Sequence, residues 1–295
     1  MQVLTTIAET RTLLDKARAE GKTVGLVPTM GYLHEGHRSL MDRSVGARDV
    51  TLVTIFVNPL QFGANEDLET YPRDFDRDAA MCDAAGVNVV LHPSVEEMYP
   101  FGTPTLTSVS VAEVSAPMEG ESRPTHFAGV ATVVAKLFNI AGPSHAYFGE
   151  KDWQQLAVIR RMAADLSFPV EVVGCPTVRE PDGLAMSSRN AYLTAEERVA
   201  APVLHWALVA GAADVAAGER DPAKVRALVA DLIHAEPLAK LDYAEVVGAE
   251  TLQELDPLVG KLRLLAAVRF GRARLIDNCG VVVPTTPQSS KDSTL

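Results

Sequence analysis

Two histidines three positions apart, a glycine between them and a Pro-Thr-Met-Gly turn ahead of them mark VPTMGYLHEGHRSL, Val27 to Leu40, as a stretch that could do chemistry. At i and i+3, His34 and His37 lie on one face of a first helical turn, and Gly31 and Gly36 let backbone or ligand approach closely. A helix N-terminus offers unpaired N–H groups and partial positive charge, so imidazoles there can join in binding phosphate oxygens. A second stretch, YFGEKDWQQL (Tyr147 to Leu156), leaves a short strand through Gly149 and enters a helix that Asp152 can cap. Lys151 beside that helix start is electrostatically unfavourable unless something anionic binds. A third, DGLAMSSRNAYLT (Asp182 to Thr194), sets the hydroxyls of Ser187 and Ser188 beside the guanidinium of Arg189 on a glycine-bearing loop able to close over phosphate oxygens.

Each stretch has an ordinary reading as well. His-Glu-Gly-His could hold a metal, although the zinc-peptidase helix separates its histidines by four positions and needs a third ligand. The histidines could equally be capping or surface residues, Lys151 a solvated lysine, and Ser187 to Arg189 a polar turn between domains. Neither a GxxxxGK[ST] loop nor a GxGxxG fingerprint occurs, which removes support for P-loop phosphoryl transfer and for the usual mode of dinucleotide binding. Taken together, the three stretches describe a polyphosphate site between two domains, with the histidines on one wall, Lys151 on another and Ser-Ser-Arg in a lid.

The elements that must position these residues follow from periodicity. TVGLV (Thr23 to Val27), VTLVTIFV (Val50 to Val57) and VNVVL (Val87 to Leu91) are short β-branched runs, with helical patterns at Ser39 to Ser44 and Asp74 to Ala85. His126 to Ile140 reads as a helix, Ala146 to Phe148 as a strand, Asp152 to Leu166 as a helix and Val170 to Val173 as a strand. The prediction is an α/β protein with a doubly wound parallel sheet over residues 1–177. Over residues 178–283 the texture becomes that of a smaller α+β domain. Thr194 and Glu197 form a capping box, Pro222 opens a helix, and Leu241 to Val247, Leu262 to Phe270 and Ala273 to Ile276 look like antiparallel strands. The tail over residues 284–295 reads as disordered.

Composition limits the partners. A 295-residue chain with 47% hydrophobic and 22% charged residues is that of a globular protein. Its formal net charge of -11 argues against nucleic acid or an anionic membrane surface, so a phosphate site must be local. The amino terminus lacks an apolar signal block and no unbroken apolar run could span a bilayer, which makes the cytoplasm the expected compartment. Cys82, Cys175 and Cys279 lie far apart without a CxxC pair and read as small buried or half-buried hydrophobes.

In order and spacing, PTMGYLHEGH, FVNPLQFG, YPRDFDRD, RPTHFAGV, FGEKDWQQL and DGLAMSSRNAYLT resemble the pattern of bacterial pantothenate synthetases (pantoate–β-alanine ligases), from about Thr23 to Asn278. His34, Gly36 and His37 resemble the HxGH signature of the Rossmann-like nucleotidyltransferase superfamily, and MSSRN a degenerate KMSKS loop. The resemblance implies a ligase in which pantoate attacks the α-phosphate of ATP and β-alanine then displaces AMP. It further implies magnesium, a homodimer formed largely by the first domain, and roles for particular residues. His34, His37, Lys151, Ser187, Ser188 and Arg189 would be catalytic and hold ATP. Met30, Gly149, Asp152, Val178 and Met186 would line the ATP site, Asp152 by bonding the ribose. Gln61, Gln155 and Asn58 would hold pantoate and β-alanine, and Asp78 would help with the metal. Tyr32, Arg38, Trp153 and Arg77 depart from that pattern, and the motif leaves Arg123 and His126 without assigned roles.

Overall fold

The computed structural model describes residues 1–63 and 68–284; the predicted disordered tail, past Pro284, lies outside the described residues. By its contacts the chain divides into two compact units, Met1–Ala191 and Tyr192–Leu295.

The first unit opens with β1 (Gln2–Leu4) and α1 (Ile7–Ala19), whose N-cap Thr6 accepts the Glu9 N–H. Next come β2 (Val24–Thr29), α2 (Glu35–Val45) and β3 (Val50–Ile55), and then a 3₁₀ turn at Pro59–Gln61. α3 (Phe75–Ala84), β4 (Val89–Leu91), α4 (Val95–Met98) and α5 (Glu119–Ser122) follow. α6 (His126–Ala141), β5 (Ser144–Gly149), a 3₁₀ turn at Glu150–Asp152, α7 (Trp153–Asp165) and β6 (Val170–Cys175) complete the sheet.

The six strands are all parallel, in the order β1-β4-β3-β2-β5-β6. Central β3 is buried along its whole length, as a β-branched run covered on both faces must be. On one face Val27, Leu33, Leu40, Met41, Val53, Ile55, Cys82 and Tyr147 form a continuous core under α2 and α3. The chain order reverses between β2 and β5, so the carboxyl ends of these neighbours flank a topological switch point, where open α/β sheets bind ligands. The histidine stretch leaves β2 there and the lysine stretch leaves β5.

The second unit contains α8 (Ala195–Ala200), α9 (Val203–Ala217) and α10 (Pro222–His234). Its β7 (Lys240–Gly248), β8 (Gly260–Phe270) and β9 (Ala273–Val283) form an antiparallel sheet in that order. Thr194 and Glu197 do form the expected capping box, and Pro222 does open its helix. The span Ala195–Ala217 contains an 18-residue stretch apolar enough by composition to cross a membrane, with mean hydropathy 1.5, but half of that stretch is buried in the unit, including Leu204, Leu208 and Val215.

Four readings change. α2 begins at Glu35 rather than Ser39, because His34 takes the N-cap position that Ser, Thr, Asp or Asn usually fills. β1 was not legible, since three residues pairing with the distant β4 carry no local period. Asp152 stands at the N-cap of α7 but makes no capping bond; its carboxylate turns to Lys151. Val178 to Arg189 falls in the first unit, where a hairpin with an Arg179–Ala185 bridge and a Met186 N–H bond to the Val178 carbonyl folds it on itself.

Candidate active site

The turn between β2 and α2 sets the geometry of the histidines. His34 is the N-cap of α2, and its Nδ1 accepts the Gly36 N–H at 3.1 Å. His37 Nδ1 accepts the His34 N–H at 3.3 Å, so the two rings form a reciprocal capping box with centroids 4.2 Å apart. A Cβ on Gly36 would sit 2.8 Å from the His34 ring, which explains the glycine between them. Because both Nδ1 atoms accept backbone N–H bonds, each neutral ring carries its proton on Nε2, ready to donate outward. Burial, with Lys151 as the next cause, lowers His34 to about 4. Burial and then His34 lower His37 to about 3. Both imidazoles are therefore neutral donors at physiological pH.

Charge is supplied beside them. Lys151 Nζ lies 3.3 Å from Asp152 Oδ1, with 17% of its side chain exposed, and its field reaches both histidines. Burial raises the Asp152 carboxyl, but Lys151, Arg189 and His126 outweigh it and hold the group below the usual carboxylate range. Met186 Cβ lies 3.9 Å from the position of a Cβ on Gly36, so the Val178–Met186 hairpin borders the histidine turn. Ser187 Oγ accepts the Arg189 N–H at 3.3 Å, and Ser188 begins the 3₁₀ turn Ser188–Tyr192. Thus His34, His37, Lys151, Asp152, Met186 and Arg189 converge, with Gly149 at the end of β5 immediately before the lysine turn.

A second group surrounds Gln61, which is 8% exposed. Its Nε2 donates to the Met30 sulfur at 2.8 Å, a weak acceptor that a ligand oxygen could replace, and its Oε1 accepts from Asn58 Nδ2 at 3.2 Å. Asn58 has no reach to spare. Its Nδ2 also bonds the Gly129 carbonyl, and its Oδ1 accepts from the Tyr99 hydroxyl and the Leu60 N–H. These bonds place Asn58 beside Gln61, where it orients the amide. His126 Nδ1 and Arg123 both bond the Gln61 carbonyl, at 2.9 and 3.3 Å, which gives them the structural role their motif lacked. Gly129 permits this arrangement: a Cβ there would collide with the Leu60 carbonyl and lie 2.6 Å from Gln61 N.

The neighbouring glutamines of α7 differ sharply. Gln154 is 3% exposed and tied to the Val114 and Pro117 carbonyls and the Glu119 N–H, whereas Gln155 is half-buried and its side chain has no hydrogen-bond partner among the described residues. Asp78, the candidate metal helper, is 1% exposed and accepts the Tyr32 and Leu33 N–H groups at 2.7 Å each. It braces the histidine turn and offers no open face to a cation. Among the described residues no group of three or more His, Cys, Asp or Glu could hold a metal ion. Sequence reasoning missed Gln154, Tyr99 and the bracing role of Asp78, since none of their partners is near in sequence.

A parallel sheet with neutral imidazole donors, a lysine and an arginine at its switch point defines an α/β enzyme with an anion-accepting centre. The family model described as pantoate-beta-alanine ligase matches residues 2–280. A pantothenate synthetase from Roseiflexus sp. (strain RS-1) is 55% identical over 279 residues, covering 95% of this chain and 99% of the relative. The crystal structure of pantothenate synthetase from Thermus thermophilus superposes with TM-score 0.90 at 48% identity, covering 96% of this chain and 100% of that one. That of pantoate-beta-alanine ligase from Francisella tularensis, complexed with beta-gamma ATP and beta-alanine, gives TM-score 0.75 at 32% identity, covering 95% and 97%. The chain belongs to the pantoate–beta-alanine ligase family and is an enzyme of that family.

Proposed function

We propose that this enzyme condenses pantoate with β-alanine through an acyl adenylate. The observation that carries the reading is the pair of neutral Nε2–H donors set beside Lys151 and Arg189 at the switch point. Such an array accepts a polyphosphate without demanding a proton from it. In the first step a pantoate carboxylate oxygen attacks the α-phosphorus of ATP, the bond to the bridging oxygen breaks, and pyrophosphate leaves. In the second, the free amine of β-alanine attacks the acyl carbon, AMP leaves with the electron pair of the C–O bond, and the amine loses a proton. A carboxylate resists attack by an amine, whereas the mixed anhydride does not.

Catalysis of the first step is positioning plus stabilisation of charge building on phosphate oxygens. Lys151 and His37 serve the α-phosphate, with His34, Ser187, Ser188 and Arg189 on the remaining phosphate oxygens. Met30, Gly149, Val178 and Met186 line the nucleotide, and Asp152 bonds the ribose. Gln61 and Gln155 hold pantoate through its hydroxyls and carboxylate; neutral amides suit this, because a carboxylate would repel the nucleophile. The Francisella relative, complexed with beta-gamma ATP and beta-alanine, supports the choice of ATP and β-alanine as substrates. Magnesium belongs to this reading as a companion of the ATP phosphates, since Asp78 and its neighbours do not make a protein-borne cage for it. A homodimer formed by the first unit and a cytoplasmic setting complete it, the latter in keeping with cysteines that form no disulfide among the described residues.

Isotope transfer tests the adenylate. Pantoate labelled with ¹⁸O in its carboxylate should give AMP carrying one ¹⁸O. Unlabelled AMP, or label in pyrophosphate, would exclude it.

A further inference from the structure

The histidine turn contains two successive left-handed residues, Gly31 at φ +88° and Tyr32 at φ 52°. A tyrosine does not hold that conformation unaided. Its backbone N–H and the next one, of Leu33, converge on a single anion, the buried carboxylate of Asp78, at 2.7 Å each. Arg77 completes the grip. Its guanidinium donates to the Leu33 carbonyl at 3.0 Å and lies 5.0 Å from the centre of the Tyr32 ring. Two consecutive residues on the first turn of α3 thus hold the peptide groups immediately before His34, and Gly31 is close enough that a Cβ would stand 3.0 Å from Asp78 Oδ2.

We propose that Arg77 and Asp78 are positioning residues for His34: through Tyr32 and Leu33 they make α3 the support that sets where the His34 Nε2–H points. Asp78 closes the turn and Arg77 locks it by holding both the ring of Tyr32 and the carbonyl of Leu33. The consequence for nucleotide handling rests on the reading of His34 as a phosphate donor. The mechanical claim does not, because the His34 ring bonds the backbone of Gly36 whatever it later binds.

The test uses the full chain with ¹⁵N-labelled histidine and two readouts. Imidazole ¹⁵N shifts at pH 7 report which His34 nitrogen carries the proton, with His234 as an internal control; steady-state kinetics give KM for ATP and for pantoate. In Arg77→Met the His34 shifts should move toward a mixture of tautomers, KM for ATP should rise about tenfold and KM for pantoate should stay within about twofold. Arg77→Lys, which can still donate to Leu33 and sit over Tyr32, should recover most of both effects. Unchanged His34 shifts and unchanged KM for ATP in Arg77→Met would overturn the proposal. So would an equal rise in both KM values with a broad loss of thermal stability, which would mark Arg77 as general scaffold. Asp78→Asn gives a second route, since its amide can no longer accept both N–H groups cleanly, and it should shift the same His34 signals. If the unaltered chain released no pyrophosphate with ATP and pantoate, the functional reading alone would fall, and the histidine spectrum would still decide the positioning claim.

Discussion

His37 Nδ1 accepts the backbone N–H of His34 at 3.3 Å, so the second histidine of the motif fixes the backbone of the first as well as its own proton. Both rings are thereby committed to donating through Nε2, and burial keeps them uncharged, His34 down to about 4 and His37 to about 3. Pyrophosphate release should therefore show no acid limb between pH 6 and 7 from these residues. A rate that fell with an apparent pKa near 6.5 and lost that limb in His34→Gln would contradict the assignment.

Stability should respond in the opposite sense. Unfolded imidazoles take up protons near 6.5, folded ones only near 4 and 3, so between those values the unfolded chain binds more protons. The contribution is intact above 6.5 and is lost as pH falls through the window below it. Denaturant unfolding between pH 7 and 4.5 should show a shallower decline in the His34→Gln/His37→Gln double variant than in the unaltered protein.

Lys151 brings the charge that the neutral rings lack. Lys151→Ala should lower adenylate formation by about 10²- to 10³-fold while leaving thermal unfolding nearly unchanged, because the side chain is not part of the apolar core. Single-turnover pyrophosphate release measures the first and calorimetry the second. A near-normal rate would remove Lys151 from the mechanism.

Gln154 and Gln155 are adjacent and should behave oppositely. Gln154→Leu strands two carbonyls and one N–H in a buried setting and should cost about 2–4 kcal/mol of stability. Gln155→Leu should leave stability within about 0.5 kcal/mol and raise KM for pantoate. Chemical denaturation and substrate kinetics on the pair separate the roles, and equal destabilisation by both would refute the distinction.

Gly129→Ala should act at a distance. Its methyl group would press on the Leu60 carbonyl and Gln61 N–H, at a cost of about 1–3 kcal/mol, and should weaken pantoate more than ATP. Equal KM changes for both substrates would argue against the link from α6 to Gln61.

The β-branched runs made β2, β3 and β4 legible in the sequence because a strand buried on both faces needs little besides apolar bulk. The first two chemical stretches were legible because strand, glycine and helix start adjoin in sequence, and the third because two hydroxyls and a guanidinium follow one another on a glycine-bearing loop. Asp78 was not: its partners lie 45 and 46 positions away, and nothing local separates a carboxylate that binds backbone from one that binds metal. The surroundings of Asn58 were not legible for a similar reason, since its four bonds reach Leu60, Gln61, Tyr99 and Gly129, and only the first two are near in sequence. Tyr32 and Arg77 stood apart as departures from the family pattern, and only the fold stacks one on the other.

The most direct measurement is pyrophosphate release from ATP and magnesium with pantoate, before any β-alanine is added, followed by product analysis after its addition. The account predicts release that depends on pantoate and then pantothenate with stoichiometric AMP. No release with pantoate, but release with a different acid or a mononucleotide, would contradict it while leaving the fold and its anion-accepting centre in place.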